Sequence, residues 1–97
     1  MMPVVWAPKA LANLHRLIGF LDAKWNRNVS DNLLEEIDKT VKRIEHNPFL
    51  YSLFSKKKNI RKCLIKKRTL LFYRIHSSEI QIVLVVDARQ NPNDYEF

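Results

Sequence analysis

The spacing of apolar residues changes once along this chain, and that change limits the folds open to it. In the first half, apolar side chains recur every three or four residues, which places them on one face of a helix. In the second half they crowd into short runs rich in β-branched and aromatic residues, which is typical of strands. A chain with helices first and paired strands afterwards belongs to the α+β class.

Two amphipathic helices are predicted in the first half. The first runs from Pro8 to Trp25, with its apolar residues at steps of three and four. For the second helix, Ser30 is the expected N-cap and Asn47-Pro48 the stop signal, because serine favours helix starts and the residue before a proline disfavours the helical conformation. A short polar segment joins the two, so we expect an antiparallel helical hairpin.

Four strands are predicted around this hairpin. Val4–Ala7 is a short β-branched and aromatic run ahead of the first helix. Three further runs, Ile60–Ile65, Thr69–His76 and Ile80–Asp87, are separated by short turns, and that spacing indicates hairpins. The apolar segment Phe49–Phe54 is expected to be a loop.

The predicted architecture is therefore β-α-α-β-β-β, with the helical hairpin packed on one face of a small antiparallel sheet. A single domain spans residues 1–97. The last strand is apolar on most of both faces, which indicates a central position. Regular alternation would place four of its side chains on one face, namely Ile80, Ile82, Leu84 and Val86. The sheet face away from the helices is the expected functional surface.

Composition narrows the possible functions. Seventeen Lys and Arg against ten Asp and Glu give a formal net charge of +7, which attracts nucleic acid or acidic protein. A single glycine excludes the glycine-rich phosphate loops of nucleotide-binding folds. Cys63 is alone and the histidines lack metal-ligand spacing, so we expect no disulfide, metal or other cofactor. No leader or membrane-length apolar run is visible, so we expect no membrane partner and a cytoplasmic location.

Four segments give the chain a resemblance to a known family. They are VVWAPKALANLHRLIGFLDAKW, IEHNP, IRKCLIKKRTLLFYRI and IQIVLVVDARQNP. Together they resemble the RelE/ParE superfamily of toxins from bacterial type II toxin–antitoxin modules. The resemblance implies a growth-inhibiting protein that a cognate antitoxin neutralises. It also implies one of two modes of action, which are ribosome-dependent mRNA cleavage in RelE-like members and poisoning of DNA gyrase in ParE-like members.

The basic residues favour the ParE-like mode. RelE-like cleavage depends on a Lys and Arg cluster, because attack by a 2′-OH needs a proton acceptor and cations that stabilise the phosphate transition state. Lys62 matches one basic position of that pattern, but Leu70 stands where an arginine is expected, and Gln90 stands beside Arg89 where the other is expected. The closing RQNP instead resembles the ParE pattern of an arginine followed three residues later by a proline. We therefore favour a binding protein over an enzyme.

Each hypothesis assigns its own set of residues. A gyrase-binding protein would contact its target through a basic sheet end formed by Arg61, Lys62, Arg74, Arg89 and Gln90. A ribonuclease would bind phosphate and exchange protons through Lys62, Lys66, Lys67, Arg89 and Tyr95. A third hypothesis is a non-toxic relic or a plain nucleic-acid-binding module. The antitoxin is expected to bring an acidic segment that folds on contact with the basic face. Trp25 is expected in the core or, alternatively, in an exposed apolar patch with residues 49–54 that receives the antitoxin.

Overall fold

The computed structural model describes residues 1–97 and contains one five-stranded sheet with a helical hairpin on one face. The elements in chain order are β1 (Val4–Trp6), α1 (Pro8–Lys24), α2 (Arg27–His46), β2 (Leu53–Ser55), β3 (Ile60–Ile65), β4 (Thr69–Ile75), β5 (Ile80–Asp87) and a 3-10 turn (Pro92–Asp94). The predicted α+β class and the helical hairpin are confirmed. Neither helix combines the length and the apolar character needed to cross a bilayer.

The second helix begins earlier than predicted. Asn26 is its N-cap, and the Asn26 side chain accepts a hydrogen bond from the backbone N–H of Val29 at 3.2 Å. Ser30 was the expected cap, but it lies one turn inside α2 and is buried. Its hydroxyl donates to the carboxylate of Asp22 on α1. Ser30 therefore links the two helices to each other, while Asn26 caps the second one.

The sheet is mixed and has one strand more than predicted. Its order is β1-β5-β4-β3-β2, with β1 parallel to β5 and all other neighbours antiparallel. The extra strand, β2, lies within Phe49–Phe54 and the residue that follows, where the sequence predicted a loop. It pairs with the start of β3 and forms an edge of the sheet. With three residues, β2 is too short to show an alternation of its own.

The central strand β5 contains a bulge that changes which side chains face the helices. Where β5 passes β4, it carries one extra residue, Val83, between two successive cross-strand pairs. Ile80 and Ile82 therefore face the helices, whereas Leu84 and Val86 belong to the cluster on the opposite face. The prediction that all four share one face is wrong, because an extra residue reverses the alternation beyond it.

Two apolar clusters hold the sheet, one on each face. The helix-side cluster contains twelve buried residues from both helices and the sheet, including Leu14, Ile37 and Tyr73. Cys63 also lies in it, and burial raises the pKa of its thiol, which suits a packing role better than a reactive one. The opposite cluster has five buried residues and is covered by side chains of the C-terminal segment, among them Tyr95 and Phe97.

Candidate functional site

The sheet face turned away from the helices carries four aromatic rings. Phe72 of β4 is fully buried at their centre, and Phe54, Tyr95 and Phe97 surround it. The three outer ring centroids lie 5.1, 5.1 and 5.2 Å from that of Phe72, with inclined planes, as aromatic pairs prefer. Phe54 keeps 39% of its surface exposed. We call these four residues the aromatic face.

The chain reverses after β5 at a carboxylate–arginine contact. The backbone N–H of Arg89 donates to the Asp87 carboxylate at 2.8 Å, and the Arg89 guanidinium donates to the same carboxylate at 3.1 and 3.0 Å. The hydrogen bonds from Arg89 hold the pKa of Asp87 below its usual range. A 3-10 turn that starts at Pro92 then directs the following residues back along the sheet.

A second contact fixes the C-terminal residues against the first helix. Lys9 of α1 donates to the backbone carbonyl of Glu96 at 2.7 Å and to its carboxylate at 3.2 Å. Because neighbouring side chains point in different directions, Glu96 turns toward α1 while Tyr95 and Phe97 pack on Phe72. The segment 92–97 therefore separates its negative charge from the aromatic face.

Cations border the aromatic face. The Lys62 Nζ lies 5.6 Å from the ring centroid of Phe54, and the Lys58 Nζ lies 5.5 Å from that of Phe97. Arg74 donates from Nε to the carbonyl of Lys58 at 3.2 Å. None of these three cations forms an ion pair with a carboxylate. Lys62 and Arg74, both predicted from the sequence, thus share one face and keep their charges free for a partner.

Arg61, the next predicted residue, lies on the other face. It is paired with Tyr73 across β3 and β4, and Tyr73 belongs to the helix-side cluster. The Arg61 guanidinium donates to the carbonyl of Tyr51 at 2.7 Å and lies 4.9 Å from the ring centroid of Phe49. Its Nε is buried without a hydrogen-bond partner. Arg61 therefore holds residues 49–51 against the sheet.

The remaining predicted residues lie at the far end of the sheet. Arg74 is near the end of β4, whereas Arg89 follows the part of β5 that pairs with the start of β4. The seven residues of β4 separate these ends by about 20 Å. Lys66 and Lys67 form the β3–β4 turn at the Arg89 end, both with positive φ, and Gln90 is exposed nearby. The structure thus divides the predicted set between two ends of the sheet.

A cleft opens where the helical hairpin meets this far end. Its volume is about 190 Å³, and its apolar wall consists of Leu17, Phe20, Leu21, Trp25, Val29 and Leu33. Three cations also line it, Lys66, Arg68 and Arg89. Trp25 is 57% exposed there. Of the two positions predicted for it, in the core or in an exposed apolar patch, the exposed one is therefore observed. We call this the Trp25 cleft.

Phe49 is exposed as well, but it does not extend the Trp25 cleft. Phe49 follows the end of α2, whereas Trp25 precedes its start. The twenty residues of α2 place these ends about 30 Å apart. The single apolar patch expected from Trp25 and residues 49–54 is therefore two separate patches. Sequence spacing gave no sign of the cleft, because its cations and its apolar wall come from distant parts of the chain.

Comparison with known proteins identifies the family. A family model described as the ParE toxin of the type II toxin–antitoxin system, parDE, matches residues 4–92. The chain belongs to the ParE toxin family. The ParE-like resemblance drawn from the sequence is thereby confirmed, and the chain is of the kind that forms the toxin component of a toxin–antitoxin system. No curated protein sequence matches it.

Solved structures share the fold of this ParE-family chain. A structure of the chromosomal ParDE toxin–antitoxin system from P. aeruginosa aligns with a TM-score of 0.76 and 19% identity, over 90% of this chain and 96% of that one. A conserved hypothetical protein from Helicobacter pylori aligns with a TM-score of 0.59 and 22% identity, over 93% and 98% of the two chains. At these identities the likeness is one of fold.

The residues of the ribonuclease hypothesis are dispersed in this ParE-family chain. Lys62 and Tyr95 lie at the aromatic face, Lys66 and Lys67 form the turn at the far end, and Arg89 is bound to Asp87. Burial raises the pKa of Tyr95, so even less of its phenol is ionised near neutral pH. The arrangement offers free charge and apolar area for binding, and it does not bring a base and a phosphate clamp to one point.

Proposed function

We propose that this ParE-family chain inhibits growth by binding DNA gyrase, and that a cognate antitoxin neutralises it. The observation that carries the proposal is that Lys62 and Arg74 lie on one sheet face without carboxylate partners. Both lie on the face away from the helices, Lys62 beside the exposed ring of Phe54 and Arg74 against the backbone of Lys58, and neither is paired with a carboxylate. A surface of this kind suits binding, since charge and aromatic area both contribute to a protein or protein–DNA interface.

The predicted target-binding residues take different parts in this proposal. Lys62 and Arg74 make direct contacts with the target. Arg61 acts indirectly, because its guanidinium is engaged with Tyr51 and Phe49 on the helix side of the sheet. Arg89 and Gln90 reach the same target only if it extends about 20 Å along the sheet.

The Trp25 cleft is the proposed docking site of the antitoxin. Its apolar wall, in which Phe20, Trp25 and Val29 are exposed, suits the apolar side of an amphipathic acidic segment. Lys66 and Arg68 form no ion pair and suit its acidic side, whereas Arg89 is paired with Asp87, which also lines the cleft. This location differs from the expectation that the antitoxin covers the basic face, and it follows the alternative in which an exposed patch at Trp25 receives the antitoxin. Binding there would leave Lys62 and Arg74 uncovered, so neutralisation would require that the antitoxin also reaches around the edge of the sheet or prevents the approach of gyrase by its bulk.

A supercoiling assay with purified gyrase tests the main proposal. We expect the wild-type chain to inhibit supercoiling, and we expect the double variant Lys62→Ala/Arg74→Ala to inhibit at least about 10-fold less, as two lost interface contacts of about 1 kcal/mol each would produce. The matched control is Lys39→Ala/Lys42→Ala on α2, which removes the same charge from a surface with its own carboxylates. That control should inhibit like the wild type.

A pulse of expression in cells separates the two modes of action. Gyrase poisoning predicts growth arrest with a DNA-damage response while mRNA stays intact. Cleavage of mRNA within translating ribosomes would refute the gyrase proposal and support the ribonuclease hypothesis instead. For the antitoxin, Trp25→Ala should weaken complex formation and reduce the rise in melting temperature that a bound partner produces. An unchanged rise would exclude the Trp25 cleft as the docking site.

A further inference from the structure

The aromatic face and its cations form a surface with the chemistry of a single-strand nucleic-acid site. Phe54 is 39% exposed, and Leu64, on the same side of β3 as Lys62, is 56% exposed. Lys58, Lys62 and Arg74 supply unpaired positive charge around these apolar side chains. A groove of positive charge with aromatic rings for stacking is the combination that binds unpaired bases and their phosphates.

Three acidic side chains of the C-terminal segment and of the end of β5 are directed away from this surface. Glu96 is held by Lys9 of α1, and Asp94 lines a separate cleft with Lys9 between α1 and the C-terminal segment. Asp87 is occupied by Arg89 at the far end of the sheet. Since Lys58, Lys62 and Arg74 form no ion pair either, their charges remain available to an approaching phosphate.

We propose that the aromatic face binds single-stranded DNA, with a base stacked on Phe54 and Lys62 on the neighbouring phosphate. The inference rests on the proposed function, because gyrase acts on DNA, and it names the nucleic acid as the partner of this face in the gyrase–DNA complex. A duplex fits less well, since its bases are stacked on one another and present no free ring to Phe54.

A base that stacks on Phe54 must displace the Lys62 ammonium from the ring, and this exchange is favourable. A base stacked on an aromatic side chain contributes more to binding than an exposed cation–π contact such as that of Lys62 with Phe54. The Lys62 side chain is long and flexible, so its ammonium moves from the ring to a phosphate and keeps a favourable partner. Stacking therefore replaces the weaker contact without loss of the cation.

The cations extend far enough to follow a strand of several nucleotides. Lys58 and Arg74 lie at one end of β3, Lys62 lies within it, and the turn with Lys66 closes the other end. The six residues of β3 span about 20 Å. Single-strand binding domains contact roughly 4 to 16 nucleotides. A bound strand would thus run along β3 from the Lys58 turn toward the Lys66 turn.

The test is fluorescence anisotropy of labelled oligothymidylate of about 12 nucleotides, measured over a series of salt concentrations. We expect binding that weakens as salt increases, and weaker binding to a blunt duplex of the same length. Phe54→Ala should lower the affinity by about 5- to 150-fold, as loss of one stacked base predicts. Phe54→Leu keeps the apolar packing and removes the ring face, so it should lose affinity while the melting temperature stays near that of the wild type.

Matched controls come from the opposite side of the molecule. Phe49 is an exposed ring with a cation partner, Arg61, but it lies on the helix side, so Phe49→Ala should leave binding unchanged. Lys62→Ala should reduce the slope of the logarithm of affinity against that of salt by about 1, whereas Lys42→Ala should not. Equal losses of affinity for oligothymidylate in Phe49→Ala and Phe54→Ala would overturn the inference. So would a duplex affinity equal to that for oligothymidylate, or tighter binding to oligouridylate than to oligothymidylate.

The supercoiling assay makes failure of this inference distinguishable from failure of the proposed function. If Phe54→Leu binds single-stranded DNA as tightly as the wild type while the wild type inhibits gyrase, the inference is overturned and the proposed function stands. If the wild-type chain binds single-stranded DNA and leaves gyrase active, the proposed function is refuted, and the DNA contact loses its place in gyrase inhibition. Loss of both activities in Phe54→Leu, with both retained in Phe49→Ala, supports the two together.

Discussion

The hydroxyl of Tyr73 donates a hydrogen bond to the backbone carbonyl of Pro48 over 2.7 Å. Tyr73 is fully buried in the helix-side cluster, and Pro48 follows the end of α2. The bond therefore ties the end of the helical hairpin to the middle of the sheet and satisfies a hydroxyl that burial would otherwise leave without a partner. Burial also raises the pKa of Tyr73 to about 12.

The free energy of unfolding is expected to fall as the pH rises from about 10 to about 12, because Tyr73 is harder to ionise in the folded chain. The unfolded chain releases the Tyr73 proton near the ordinary tyrosine pKa of 10.0, while the folded chain holds it until about 12. The contribution is therefore complete below about pH 10 and is lost as the pH rises to about 12, by roughly 2–3 kcal/mol. Urea unfolding of the wild type and of Tyr73→Phe between about pH 10 and pH 12 measures this loss of stability.

The Tyr73→Phe variant isolates this effect from the titration of the lysines. Near neutral pH it should be less stable than the wild type by about 1 kcal/mol, the net contribution of one hydrogen bond. The difference should shrink and change sign as the pH approaches 12, because phenylalanine has no proton to release. A difference that stays constant with pH would contradict the raised pKa.

The β3–β4 turn carries backbone strain that glycine or asparagine would relieve. Lys66 and Lys67 adopt φ values of 51° and 65°, a region in which residues other than glycine and asparagine are disfavoured. We expect Lys66→Asn and Lys67→Gly each to raise the free energy of unfolding by about 0.5–1 kcal/mol. Lys57→Gly in the β2–β3 turn is the control, since Lys57 has no positive φ, and it should bring no gain in urea unfolding.

The contact between Ser30 and Asp22 is expected to matter for the helical hairpin. Ser30→Ala removes the hydroxyl that donates to the Asp22 carboxylate, so a partly buried charge loses a partner. Alanine favours the helix slightly, and the net cost should therefore be about 1 kcal/mol in thermal or urea unfolding. Ser78→Ala, in an exposed turn, should leave stability within about 0.5 kcal/mol of the wild type, and an equal effect of both changes would argue against the link.

The C-terminal rings are expected to stabilise the molecule more than the neighbouring ion pair does. Phe97→Ala uncovers the cluster around Phe72 and should cost about 1–3 kcal/mol. Glu96→Ala breaks an exposed ion pair with Lys9 and should cost at most about 0.5 kcal/mol. Thermal unfolding of the two variants compares them directly. A larger loss in Glu96→Ala would mean that charge, and not aromatic packing, holds this segment in place.

Periodicity predicted the long elements well and the short ones poorly. The bounds of β3 and β5 agree with the prediction, because each run has a clear β composition between two turns. β2 was missed because a strand of three residues is defined only by its partner. The bulge at Val83 left no trace in the sequence, since β5 is apolar on both faces and a change of alternation does not disturb its pattern. Asn26 and Ser30 are both good N-caps, and packing against Asp22 decided between them.

The candidate site could be predicted only in part, because it depends on long-range contacts. Adjacent strand residues face opposite ways, so Arg61 and Lys62 had to be divided between the two faces. Which of them faces the helices is fixed by the pairing of Arg61 with Tyr73, and no local pattern contains that information. The aromatic face joins Phe72 to rings far away along the chain: the pairing of β2 with β3 brings Phe54 to it, and the reversal after β5 brings Tyr95 and Phe97.

The bulge at Val83 lets one strand contribute to two separate apolar layers. Ile80 and Ile82 pack beneath the helices, while Leu84 and Val86 support the aromatic face. Substitutions at the second pair can change the packing under the aromatic face and leave the packing beneath the helices as it was. The two layers can therefore be redesigned one at a time, although a single strand runs through both.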